Sequence, residues 1–165
     1  PSLHLTLAGT WYPPHLVKTP WGRELQSRLA APPWPGKITI TGYLSDEALP
    51  AFAEKAQLPL FVYPYPGNAS AAVSGALLTA MYWGQAILAT PVRGHTEDLA
   101  HGETAWLVPP GDTRALAEAL QLLTGDPALR LRLGTAARRH LLDHHTPEQV
   151  SARLDHLLEE TLDTK

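Results

Sequence analysis

The sequence predicts an open, doubly wound α/β domain with a helical C-terminal tail, and three observations carry that class. Residues Leu58 to Glu97 read as strand, small-residue loop, helix, second strand and polar loop, so two strand-loop-helix units follow one another. Consecutive units of this kind imply parallel strands covered by helices. Further strand-length runs at 3–8, 37–41 and 104–108 alternate with helical patterns. From Gly125 onward every apolar stripe has helical spacing, which makes the tail.

Taken in order, Leu3 to Ala8 alternates Leu-His-Leu-Thr-Leu and stops at Gly9, as a strand running into a loop does. After an aromatic, proline-rich stretch, Thr19-Pro20 is a helix start with proline at the first helical position. That helix, from Pro20 to about Leu29, carries Trp21, Leu25 and Leu29 as one apolar stripe. Pro32-Pro-Trp-Pro-Gly36 breaks it and reads as a rigid connector. Lys37-Ile-Thr-Ile-Thr41 is β-branched and alternating, a strand ended by Gly42. Ser45-Asp-Glu47 offers a serine cap with acids in the first turn. Pro50 would interrupt a continuous helix, so a short turn and then a helix from Pro50 to Ala56 are expected.

Leu58–Tyr63 and Gln85–Thr90 are buried-strand runs on either side of a helix from about Val73 to Tyr82. Thr104–Val108 is the last strand. After the turn Pro109-Pro-Gly-Asp112, Asp112 or Thr113 caps a helix whose Ala115, Leu116, Ala119, Leu120 and Leu123 recur with helical period. Asp126-Pro127 and Thr146-Pro147 are cap-plus-proline starts, the second with Gln149 completing a capping box. Leu129, Leu133, Ala136, Ala137 and Leu141 form one stripe; Val150, Leu154, Leu157, Leu158 and Leu162 form another.

Composition narrows the chemistry. A chain of 165 residues holds one domain with a full core. With no cysteine, disulfides, thiolate metal sites and a cysteine nucleophile are excluded. The formal charge of −3 provides no broad basic field, which argues against nucleic acid as partner. No apolar run approaches membrane-spanning length and no signal peptide opens the chain, so a cytoplasmic protein is expected. Strand alternation begins at once without an initiator methionine, as in a single domain, residues 1–165, excised from a longer two-domain protein.

The loop from Pro64 to Gly75 carries the most suggestive chemistry. A helix N-terminus presents unpaired N–H groups and about half a positive charge, which attracts anions. Gly67, Asn68, Ser70, Ser74 and Gly75, with three alanines among them, leave the backbone open to a phosphate, and Ser70 and Ser74 add hydroxyl donors. Close packing of helix on sheet explains the same small residues equally well, since no Walker pattern and no glycine triad is present. Ligands of doubly wound sheets bind beyond the carboxyl ends of the strands. That rule gathers Gly9-Thr10, Gly42-Tyr43, Pro64–Gly75 and Thr90–Glu97 around one crevice.

From Leu77 to Asp112 the chain resembles the nucleotide-sugar-binding C-terminal domain of retaining glycosyltransferases with the two-domain GT-B fold, of the family 4-like, group 1 type. Leu78-Thr-Ala-Met-Tyr-Trp-Gly-Gln-Ala-Ile-Leu-Ala-Thr90 is similar to that family's Leu-Glu-Ala-Met helix, glycine turn and strand. Arg93-Gly-His-Thr-Glu97 resembles its glycine-containing loop ending in glutamate, and Gly102 to Asp112 its next strand and turn. The upstream strands fall where the family has its own, so the resemblance covers nearly the whole chain and implies a Rossmann-like sheet. By resemblance, Gly67, Asn68, Ser70, Ser74, Gly75, Thr79, Arg93 and Glu97 would hold the donor and its diphosphate, with Gly42 and Tyr43 at the base.

The departures are specific. The family's paired glutamates would fall at Ala71 and Thr79, so both carboxylates are missing. A serine- and glycine-rich run stands there instead, as in some family members. The family's basic pair for the diphosphate, and its acceptor domain, would precede the first residue. The resemblance therefore implies a nucleotide-sugar substrate, no cofactor, and an N-terminal acceptor half through which any peripheral membrane association would come. The helix from Pro147 to about Thr161 would face that half and should expose an apolar stripe.

Several side chains admit two readings. Glu97 contacts the nucleotide sugar or acts, with Asp98, as a first-turn acid capped by Thr96. Arg93 grips a phosphate bidentately or is solvated, and Tyr43 stacks on a base or merely packs. His95 lies in the loop facing the crevice, whereas His4, His101, His140 and His156 have no evident partner and read as surface residues. Asp143-His-His145 looks like a metal cluster but lacks a fourth ligand at suitable spacing, so no metal is expected. No catalytic residue or general base is identifiable. A retaining hexosyltransferase domain is the leading reading. Its rivals are a non-catalytic nucleotide- or partner-binding domain of this fold and a GT-B sugar-nucleotide epimerase.

Overall fold

The computed structural model describes residues 3–8, 14–45, 47–55, 60–63, 75–91 and 97–163. The fold is α/β with parallel strands, as the alternation predicts, and ends in a helical tail. The chain divides into two compact units, Pro1–Lys55 and Ala56–Lys165. Among the described residues five strands form as expected, as a two-stranded and a three-stranded parallel sheet.

In the first unit, β1 (Leu5–Ala8) pairs in parallel with β2 (Ile38–Gly42), Leu5 opposite Ile38, with a register shift before Ala8. Gly42 is the last residue of β2, at φ +75. A 3-10 turn (Pro14–Lys18) leads into α1 (Pro20–Ala30). Thr19 caps α1 as expected, its hydroxyl accepting from Gly22 N at 3.0 Å. The expected apolar stripe of α1 is not buried: Trp21 is 58% exposed, Leu25 and Leu29 are half-buried, and Gly22 is the helix's buried residue. Helix α2 (Ala48–Glu54) corrects two expectations. Pro50 lies inside its first turn, where a missing N–H breaks no helical bond, instead of starting a later helix. Ser45 is not a side-chain cap; its carbonyl accepts from Ala48 N and Leu49 N, and its hydroxyl holds the Glu47 carboxyl below the usual range.

The second unit holds the core. Strand β3 (Leu60–Tyr63) pairs in parallel with β4 (Ala86–Ala89), which pairs in parallel with the short β5 (Trp106–Leu107), so β4 is central. Helix α3 (Gly75–Tyr82) links β3 to β4; α4 (Thr113–Gly125), α5 (Pro127–His144) and α6 (Pro147–Asp163) follow β5. All of β4 is buried, and its period of two sends alternate residues to opposite faces. Ile87 and Ala89 pack with Leu77, Ala80 and Met81 of α3 and with Ala137 and Leu141 of α5. Ala86 and Leu88 pack with Ala119 and Leu123 of α4 and with Leu133 of α5. Both faces of this sheet are thus covered by helices, the layering that alternating units dictate.

The helix starts read from sequence hold. Asp112 caps α4, accepting from Ala115 N at 2.9 Å, and Asp126 caps α5, accepting from Leu129 N at 2.9 Å. Arg130 donates to the carbonyls of Leu123 and Thr124, supplying partners for the open end of α4. At the start of α6, Thr146 accepts from Gln149 N at 3.3 Å. The apolar stripe of α6 is exposed, as expected: Val150, Leu154, Leu157, Leu158 and Leu162 are 53–73% accessible. No described helix is long and apolar enough to cross a membrane.

Candidate functional site

Within the second unit, α3 follows β3 in the chain and starts at Gly75, the last residue of the small-residue run. Gly75 is exposed, and a Cβ built on it meets nothing within 4 Å. Close helix-sheet packing therefore does not require a glycine at this position, which removes the structural explanation for it. Among the described residues, nothing crowds this position, and an anion approaching the N–H groups of a helix start needs such room. Gly67, Asn68, Ser70 and Ser74 lie outside the described residues, as do Arg93, His95, Thr96 and the Ala71 position.

Thr79 stands in the middle of α3, half-buried, and its hydroxyl donates to Gly75 O at 2.8 Å. Where a glutamate would present a charge, threonine returns its hydroxyl to its own helix. Glu97 is exposed in a turn after β4. No helix starts there among the described residues, so the first-turn role expected for Glu97 and Asp98 is corrected. Gly42 and Tyr43 belong to the first unit, at the end of β2. Tyr43 is 81% exposed, so its ring does not serve packing and is free to stack.

Sequence reasoning missed what lies next to Glu97. Asp98 is buried, and the ring nitrogens of two histidines converge on its Oδ1: His145 Nε2 at 2.5 Å and His140 Nε2 at 3.4 Å. His140 is therefore not an unpartnered surface residue. His101 also has a partner, its Nδ1 accepting from Leu107 N at 3.0 Å, and His4 Nε2 lies 2.8 Å from Thr39 Oγ1. Exposed His156 lies 3.4 Å from Glu160. The loop after Asp98 is fixed by Thr104, whose hydroxyl donates to Asp98 O and accepts from Ala100 N. Arg132 adds a 2.8 Å bond to Gly102 O. No local signal announces the Asp98 cluster, because Asp98 stands more than forty residues from both histidines.

Comparison with known proteins agrees with this architecture. Residues 2–126 match the family model of the group 1 glycosyl transferases. The 2-deoxystreptamine N-acetyl-D-glucosaminyltransferase of Niallia circulans is 32% identical over 139 residues, 83% of this chain and 32% of that protein. The chain spans about a third of the length of the curated relatives it matches. Among solved structures, the sucrose-phosphate synthase from Thermosynechococcus elongatus superposes with a TM-score of 0.76 at 23% identity, over 98% of this chain and 39% of that one. The C-terminal domain of a group 1 family glycosyl transferase (LpcC) from Francisella tularensis superposes with a TM-score of 0.67 at 17% identity, over 88% of this chain and 87% of that one. These neighbours carry the same α/β fold, and with the family match over most of its length the chain belongs to the group 1 glycosyl transferases.

Proposed function

We infer that this chain is the nucleotide-sugar-binding domain of a retaining glycosyltransferase of the hexosyltransferase type, working with an N-terminal acceptor half. The observation that carries the reading is the exposed Gly75 that begins α3, preceded in sequence by a run rich in glycine, asparagine, serine and alanine. In sugar transfer the bond from the anomeric carbon to the diphosphate breaks, and negative charge collects on the departing diphosphate oxygen. Pre-aimed N–H groups and hydroxyls stabilise that charge without a protein nucleophile. Ser70, Ser74 and the amides of Gly67, Asn68 and Gly75 take this role, Arg93 adds a charge, and Glu97 contacts the donor sugar. Gly42 and Tyr43 receive the base, and Thr79 lies beside the ribose. A neighbour of the same fold, Anabaena Alr3699/HepE, was solved in complex with UDP, which supports a nucleoside-diphosphate ligand here.

The test is a melting-temperature screen against UDP, GDP, ADP and dTDP, with inorganic pyrophosphate as control. A nucleotide at a hundred times its dissociation constant stabilises by about 2.7 kcal/mol, roughly 5–10 °C for a chain this size. A shift selective for one nucleotide is expected. A second reading, a non-catalytic domain of this fold, draws on the absence of carboxylates at Ala71 and Thr79 and on the Thr79 hydroxyl being bonded to Gly75. No nucleotide shift in the chain, together with none in the full-length protein, would favour that second reading.

A further inference from the structure

We propose that Asp98, His140 and His145 form a binding site for one divalent transition-metal ion, zinc being the best fit. The three ligand atoms, one carboxylate oxygen and two imidazole nitrogens, all lie within 4.8 Å of one another. Two imidazoles and a carboxylate form a donor set that suits zinc, which takes nitrogen and oxygen ligands at about 2.0–2.2 Å in a tetrahedron. Neighbouring ligands of such a tetrahedron stand roughly 3.3 Å apart, from those bond lengths. The edge from His140 Nε2 to Asp98 Oδ1 is already 3.4 Å, and the edge from His145 Nε2, at 2.5 Å, has to open by less than one ångström.

Charge and placement point the same way. Asp98 is 6% exposed and has no lysine or arginine partner among the described residues, so a cation is the natural complement of its buried carboxylate. His140 stands in the last turns of α5 and His145 is its C-cap. A helix C-terminus carries about half a negative charge and favours cations. The two histidines are 27% and 26% exposed, so solvent reaches them, and a water would supply the fourth ligand. The neighbouring His144 ring lies 4.6 Å from that of His140 but is exposed and stands outside the group of three ligand atoms. A bound ion would tie the loop between β4 and β5, which carries Glu97, to the end of α5.

Zinc chloride titrated calorimetrically into the metal-stripped 165-residue chain should bind at one equivalent per chain. Cobalt in its place should give the intense visible absorption of a tetrahedral centre. His140→Ala and Asp98→Asn should each weaken zinc at least tenfold, and His144→Ala should leave it unchanged. His145→Gln keeps an N–H donor for Asp98, so it should fold, as a thermal melt without zinc would verify, and still lose the ion. Absence of saturable binding would overturn the proposal and leave the histidines as hydrogen-bond donors that satisfy Asp98. Binding lost in His144→Ala but kept in His145→Gln would overturn it equally, assigning the ion to the surface pair on α5.

Discussion

Alanine at position 134 would test how α5 meets the sheet layer. Gly134 is buried in α5, and a Cβ there would stand 2.0 Å from Gly84 O, 2.7 Å from Gly84 C and 3.1 Å from Gln85 C. Ordinary contacts begin near 3.4 Å, so the helix or the turn after α3 must give by more than one ångström. All three neighbours are backbone atoms and a methyl group has no alternative rotamer, so no side-chain motion relieves the clash. In an exposed helix the change from glycine to alanine would add about 1 kcal/mol of stability. Overpacking of a tight interior costs roughly 1–3 kcal/mol and more where backbone must move. The upper end of that range applies, leaving a net loss of about 2 kcal/mol, or roughly 4–8 °C in melting temperature. Gly125→Ala is the control, since its Cβ meets nothing within 4 Å. Thermal melts followed by circular dichroism compare the two. A Gly134→Ala protein melting within 2 °C of the parent would refute the close approach of α5 to Gly84.

Other outcomes follow from the same geometry. Gly75→Val and Ser74→Leu should abolish diphosphate binding; Gly75→Val should do so without unfolding, because its Cβ enters open space. Unchanged nucleotide shifts in both variants would remove this loop from the site. Asp126→Ala removes the α5 cap and should lower stability by about 1 kcal/mol, seen as a melting point a few degrees lower. Leu154→Glu with Leu158→Glu, on the exposed stripe of α6, should leave the melting temperature within about 2 °C, as expected of surface substitutions. The Glu148 carboxyl is held below the ordinary carboxylate range by its own backbone N–H and by the Thr146 hydroxyl. A lowered folded pKa contributes stability above the unfolded pKa and loses it as pH falls through the folded one. Thr146→Ala should therefore flatten the acid-side decline in α6 helicity, measured by circular dichroism between pH 5 and pH 3.

Features governed by neighbours in sequence were legible. Thr19, Asp112 and Asp126 sit at the helix starts that their side chains and following residues prescribe, and β4 reads as a buried central strand because all four of its residues are apolar. Pro50 misled because proline tolerance depends on its position in the turn, and the true start at Ala48 has no side-chain cap to announce it. Periodicity marked Trp21 as one edge of a stripe, yet period alone says nothing about what covers it, and it is exposed. The division of five strands into two sheets follows from pairing, which no single run encodes. In the candidate site, loop chemistry and resemblance point to Gly75 and Glu97. The Asp98, His140 and His145 cluster has no such signal, since only folding brings the end of α5 to the loop after β4.

Asp126 does two jobs at one position. Its N–H donates to Leu122 O at the end of α4, and its carboxylate accepts from Leu129 N at the start of α5. No spacer separates the helices, so the rotational phase of α5 is set directly by where α4 stops. One residue inserted at this joint would turn α5 by about 100°. Leu133 and Ala137 would then leave opposite faces of the same sheet together, while the 84–134 contact would lose its glycine. Among natural variants of this chain, length changes between α4 and α5 should therefore come as whole helical turns or not at all.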